Sequence, residues 1–96
     1  MIVHIALFSW KQDVTQDEID KALEDVRSLE AKIDGVSRIS CGENFSKWSK
    51  GYTHAFLVLA RDQAALDEYR QHPDHVDVAE RIDAMESDSI GIDFAA

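Results

Sequence analysis

The sequence predicts an α+β domain whose elements run β-α-β-β-α-β. Three observations predict it. Residues 2–10 and 53–60 are β-branched, aromatic and nearly all apolar, as strands covered on both faces are. Between the first strand and the next, apolar residues recur at helical spacing. The 96 residues make a single domain, 1–96, with one modest core and no internal repeat or linker.

Taken in order, Ile2 to Trp10 forms the first strand. Alternation puts His4, Ala6, Phe8 and Trp10 on one face and Val3, Ile5 and Leu7 on the other. Thr15-Gln16-Asp17-Glu18 matches a capping box, and its acids suit a helix N-terminus. Ile19, Ala22, Leu23, Val26, Leu29 and Ile33 then mark a helix over about 15–34, stopped by Gly35. A weaker strand pattern covers Val36 to Phe45, where Gly42 suggests a bulge. Residues 46–52 read as a loop, and Thr53 to Ala60 as the third strand, with His54, Phe56 and Val58 on one face. Asp62 is an N-cap candidate for a helix ending near His72. Pro73, the chain's one proline, suits the first position of a further helix with Val76, Ala79 and Ile82 inward. Ser87 to Phe94 closes the chain as an edge strand.

This order is the split βαβ, ferredoxin-like pattern: a four-stranded antiparallel sheet with helices on one face. Its first and third strands are expected side by side at the centre, these two running parallel. Both are apolar on both faces, and the chain has no second layer of its own to cover the far face. A homodimer supplies that cover, its two sheets packing as a dimeric α+β barrel.

Composition excludes several function classes. The net charge of −9, with basic residues scattered, argues against nucleic acid and against anionic membrane surfaces. No apolar run reaches the ~20 residues of a membrane span. No leader pattern opens the chain, and the single cysteine, Cys41, fits a reducing compartment, so a cytoplasmic protein is expected. Cys41 itself reads as a small hydrophobe on a strand. No phosphate loop, dinucleotide fingerprint or nucleophile elbow is present, and no cofactor is expected. His72 and His75, with Asp74 and Asp77 nearby, supply too few convergent ligands for zinc.

The chemistry-bearing residues are four histidines and Tyr69. On parallel strands His4 and His54 would stand level at one end of the sheet, among Phe8, Trp10 and Phe56, as polar spots in an apolar pocket. Tyr69-Arg70-Gln71-His72-Pro73-Asp74-His75 is a helix break rich in proton-transfer side chains. His75 falls in the first turn of the helix opened by Pro73, where the dipole favours neutral imidazole, the form a general base needs. Tyr69 could donate to a developing oxyanion. Equally, Tyr69 and His75 could simply fasten the corner.

These residues resemble a family. His4, the run Gly51-Tyr52-Thr53-His54, Tyr69 with His72-Pro73-Asp74-His75, and Asp93-Phe94 together are similar to the stress-responsive A/B barrel (Dabb) domain over essentially the whole chain. The resemblance implies a dimeric α+β barrel. A plant member is a polyketide cyclase (the olivetolic acid cyclase type), closing an aromatic ring by aldol condensation without cofactor or metal. Its catalytic tyrosine and histidine match Tyr69 and His75, and its pocket histidines match His4 and His54. Its pocket tyrosine on helix one falls at Val26, a departure in this chain. Two functions follow as expectations. One is cofactor-free lyase, cyclase or isomerase chemistry on a small, partly apolar carbonyl compound in a barrel pocket. Catalysis falls to His75 and Tyr69, and His4, His54, Phe8, Trp10 and Phe56 line the substrate. The other is a non-enzymatic, stress-responsive binding or protective dimer.

Overall fold

The computed structural model describes residues 1–96. The chain runs β1 (Ile2–Trp10), α1 (Gln16–Ser28) with a 3-10 turn at Leu29–Ala31, β2 (Val36–Glu43), β3 (His54–Ala60), α2 (Gln63–Gln71), α3 (Pro73–Met85) and β4 (Glu86–Ala95). The strands form one sheet in the order β2-β3-β1-β4.

Local chemistry explains the element ends. Thr15 and Glu18 make the reciprocal capping box at the start of α1. The Asp62 side chain accepts from Ala65 N–H at the start of α2. Pro73 occupies the first turn of α3, and His72 caps it. At Gly35, φ is +83° and an added Cβ would lie 2.8 Å from the Ala65 Cβ, so both conformation and space require glycine. The irregularity in β2 falls between Val36 and Arg38, not at Gly42 as expected.

Every strand neighbour is antiparallel, including β1 and β3, which corrects the expected parallel pair. The reason is topological. The α1 crossover returns the chain parallel to β1, whereas the connection after β2 is too short for a crossover and folds β3 back as a hairpin. That hairpin strand inserts between the two parallel strands and runs against both. His54 therefore pairs with Phe8, and His4 with Val58. The two histidines share a face but stand four residues apart along it, about 13 Å at strand rise.

The helices cover the face bearing His4, Phe8, His54, Phe56 and Val58. The α1 stripe packs there, with Leu29, Leu66 and Val58 nearly inaccessible to solvent. On α3 the inward residues are Val78 and Ile82, with Ala79 half-buried. Val76, expected inward, is 40% exposed, because it lies off the stripe set by Val78 and Ile82. Cys41 is half-buried on β2, its thiol pushed up by burial, as suits a packing residue.

The opposite sheet face has no helix over it. Ile5 and Leu7 on β1 and Leu57 and Leu59 on β3 are half-buried there. Ile90, Ile92 and Phe94 on β4, paired with Leu7, Ile5 and Val3, are 47%, 43% and 49% exposed.

Candidate active site

A cavity of about 80 Å3 lies between the helices and the covered face of the sheet. Its walls bring together His4 from β1, Phe56 from β3, Tyr69 from α2 and His75 from α3. Phe8 and Val26 also line it. Two expected pocket residues, His54 and Trp10, do not. The cavity also differs from expectation in lying inside one protomer, between sheet and helices, rather than between two sheets.

His75 sits in the first turn of α3, where the His72-Pro73 break turns it back onto α2. Its ring centroid is 4.3 Å from that of Tyr69, tilted by 46°. Its Nδ1 lies 3.0 Å from the Arg70 carbonyl oxygen. A carbonyl only accepts, so Nδ1 carries the proton and neutral His75 keeps a lone pair on Nε2. Burial lowers the pKa of His75, against the hydrogen bond to Arg70 and with help from the His4 and Arg70 charges. The Tyr69 hydroxyl is pushed up to about 12 by burial, opposed by Arg70, so the phenol stays protonated and able to donate.

His4 is held from the other side. Its Nδ1 lies 2.6 Å from Asp93 Oδ1, and Asp93 Oδ2 lies 2.6 Å from an Arg70 guanidinium nitrogen. The hydrogen bond from Arg70, together with that from His4, keeps the Asp93 carboxyl below its ordinary value against its desolvation. An ionised carboxylate accepts, so His4 Nδ1 is the donor. The 3.4 Å approach of Arg70 to the same nitrogen is then a close passage between two N–H donors, not a second hydrogen bond. Asp93 and Arg70 were not assigned roles by sequence reasoning. In the sequence Asp93 reads as half of an Asp-Phe pair and as the wetter face of the last strand.

His54 has another environment. It is 4% exposed. Trp10 Nε1–H donates to its Nδ1 at 2.9 Å, with Thr53 Oγ1 3.0 Å from the same atom. Tryptophan cannot accept, so the His54 proton sits on Nε2, which is buried without a partner. Burial lowers the His54 pKa, against the charges of Glu43 and Asp20. Trp10 in turn stacks on Phe8 at 5.6 Å and 4°. His72 Nδ1 accepts from Asp74 N–H at 3.1 Å and so caps α3. No group of three or more His, Cys, Asp or Glu side chains is placed to hold a metal ion. A larger depression of about 700 Å3 opens between α1 and α3, but it is a charged surface groove away from these residues.

The fold and cavity define a ferredoxin-like α+β domain with histidines and a tyrosine at a site between sheet and helices. The chain belongs to the stress-responsive A/B barrel (Dabb) domain family, whose family model matches residues 2–96. A stress-response A/B barrel domain-containing protein of Arabidopsis thaliana is 29% identical over 94 residues, covering 95% of this chain and 82% of that protein. A crystal structure from Thermobifida fusca, described as a dimeric ferredoxin-like protein of unknown function, is 27% identical with a TM-score of 0.88. It covers 99% of this chain and 90% of its own. A hydroxynitrile lyase from Passiflora edulis gives a TM-score of 0.90 over 97% of this chain and 90% of its own. At 16% identity it shares the fold alone. No helix is long and apolar enough to cross a membrane.

Proposed function

We propose that the cavity binds a small, partly apolar carbonyl compound and carries cofactor-free proton transfer on it. The observation that supports this best is the pairing of Tyr69 and His75, rings 4.3 Å apart, beside His4 in one cavity. His75 Nε2 is the general base, and geometry and burial both keep it neutral. Tyr69 donates to the oxygen of the enolate that forms. Phe8 and Phe56 supply apolar walls. Reactions of this type include the cyclase, lyase and isomerase chemistry that the family resemblance implied. Val26 leaves the first helix without the cyclase's pocket tyrosine, which argues against that enzyme's own substrate. The cavity, about the volume of two or three waters, argues for a ligand far smaller than a drug-sized molecule.

The working unit of this reading is a homodimer in a reducing, cytoplasmic setting. Its interface is the uncovered sheet face, where Ile90, Ile92 and Phe94 are otherwise in water. Sedimentation equilibrium should give a dimer for wild type and a monomer for Ile92→Asp. A wild-type monomer would remove the dimer from the reading.

The activity is tested by soaking crystals with a library of small carbonyl compounds and assaying any hit for turnover. Wild type should turn it over, and His75→Ala and Tyr69→Phe should not. A second reading is a non-enzymatic, stress-responsive binding domain, favoured by the cavity's small volume. Binding that survives both substitutions, with no turnover by wild type, would select it.

A further inference from the structure

We infer that the Arg70–Asp93 pair is a positioning clamp that fixes the tautomer of His4, and that it thereby selects small hydroxycarbonyl ligands. The inference rests on the proposed function and adds a ligand class to that site.

Arg70 leaves the end of α2 and Asp93 the end of β4, yet one carboxylate holds both Arg70 and His4 at 2.6 Å. Arg70 takes one carboxylate oxygen and His4 the other, so Asp93 cannot swing away without losing both bonds. The consequence for His4 is chemical. With its proton on Nδ1, its remaining nitrogen, Nε2, is an acceptor. His75 is in the same state, because the Arg70 carbonyl takes its Nδ1 proton. Arg70 thus serves both histidines, one through its side chain and one through its main chain.

The cavity then presents two nitrogen acceptors and one phenolic donor. A ligand satisfying all three carries a carbonyl oxygen for Tyr69, an acidic C–H for His75 and a hydroxyl for His4. A small α-hydroxy ketone or aldehyde has that set, in a volume suited to about 80 Å3. In the step itself, His75 Nε2 takes the α-proton as the C–H bond breaks. The electron pair moves into the C–C bond of the enolate, and charge gathers on the oxygen facing Tyr69. His4 accepts the ligand hydroxyl without taking its proton. Asp93 and Arg70 touch no ligand.

The test uses hydroxyacetone and methoxyacetone as probes, with α-hydrogen exchange in D2O read by proton NMR. Long-range 15N NMR of histidine-labelled protein reads the His4 tautomer. Wild type should hold His4 with its proton on Nδ1 and exchange hydroxyacetone faster than methoxyacetone by about tenfold or more, since the ether cannot donate. Asp93→Asn offers its amide to Nδ1, moves the His4 proton to Nε2 and should remove that preference. Asp93→Glu should restore both. A wild-type His4 carrying its proton on Nε2, or an Asp93→Asn protein with unchanged tautomer and preference, would overturn the clamp. Exchange unaffected by His75→Ala breaks the general-base reading and leaves the tautomer result standing. If wild type shows no exchange at all, hydroxyacetone must still shift the His4 Nε2 resonance in wild type and not in Asp93→Asn. Absence of that shift overturns the ligand class. Should Asp93→Asn fail to fold, Arg70→Gln, which frees one side of the carboxylate, must reduce the preference, and an unchanged preference refutes the clamp.

Discussion

His4 and His54 lie on one face of one sheet, on neighbouring strands, yet their surroundings differ. At the His4 end the ring is held by a carboxylate, and the residue lines a cavity shared with Tyr69 and His75. At the His54 end an indole donor and close packing enclose the ring. An imidazole with one nitrogen held by an outer partner has its other nitrogen left as an acceptor. An imidazole enclosed beside an aromatic ring, with its Nδ1 already taken by Trp10 and Thr53, is a packing group. Four residues of antiparallel register separate the two roles.

The sharpest way to break this contrast is by rate. His75→Ala should lower turnover of a carbonyl probe by about a hundredfold or more, the scale of a lost general base. Tyr69→Phe should lower it strongly through loss of the oxyanion donor. His54→Gln should leave turnover within a few fold of wild type. Steady-state kinetics on the three variants decides it, and a His54 effect as large as that of His75 would erase the distinction.

Stability should show the reverse order. His54→Ala leaves the Trp10 N–H without its acceptor and opens space beside the Trp10 ring, at a cost of about 1–3 kcal/mol. Urea denaturation measures it. His4→Ala removes a ring whose partner is partly in water, so its cost should be smaller.

How much of this was legible in the sequence depends on the range of the interaction. The helix carrying Leu23 and Val26 was readable because its cap, stripe and stop lie within twenty or so residues of one another. The Tyr69–His75 pairing was readable because Pro73 forces a reversal between them. The placement of His54 was not. It turns on which neighbour β3 pairs with and in which direction, and a hairpin inserted between parallel strands leaves no local mark. Val76 was misplaced for a simpler reason: Val76, Val78 and Ala79 offer competing stripes, and only packing chooses. The Asp93 contact to His4 spans 89 residues, and an acid alternating with Ile92 and Phe94 reads as the wet side of an edge strand.

The pH response should separate the regions more gently. Burial holds His54 and His75 below the ordinary histidine pKa. As pH falls through about 6.5 the unfolded chain takes up protons that the folded chain resists, so stability drops there. Asp93 acts in another window. Its folded pKa is depressed, so its contribution is present above the ordinary carboxylate range and is lost only as pH falls through its lowered value. Urea midpoints between pH 7 and pH 5 should fall in wild type and fall less in His54→Gln. Turnover should keep its His75-dependent acid limb below the ordinary histidine value in both proteins. A stability curve flat across that range would show that neither ring is neutral by burial.

The smallest effect belongs to His72, three residues from His75 in the same helix break. Its Nδ1 accepts from the Asp74 N–H and satisfies one of the free donors at the start of α3. It does not line the cavity. His72→Ala should therefore cost about 0.5–1 kcal/mol, the lower part of the range for a lost cap. His72→Asn, a better cap by residue type, should recover that loss. Neither should move the acid limb of the rate profile, because in the proposed reaction the titrating base is His75. A shift of that limb in either variant would mean that the His72 charge reaches the cavity, and the break would then have to be treated as one titrating unit rather than a cap beside a base.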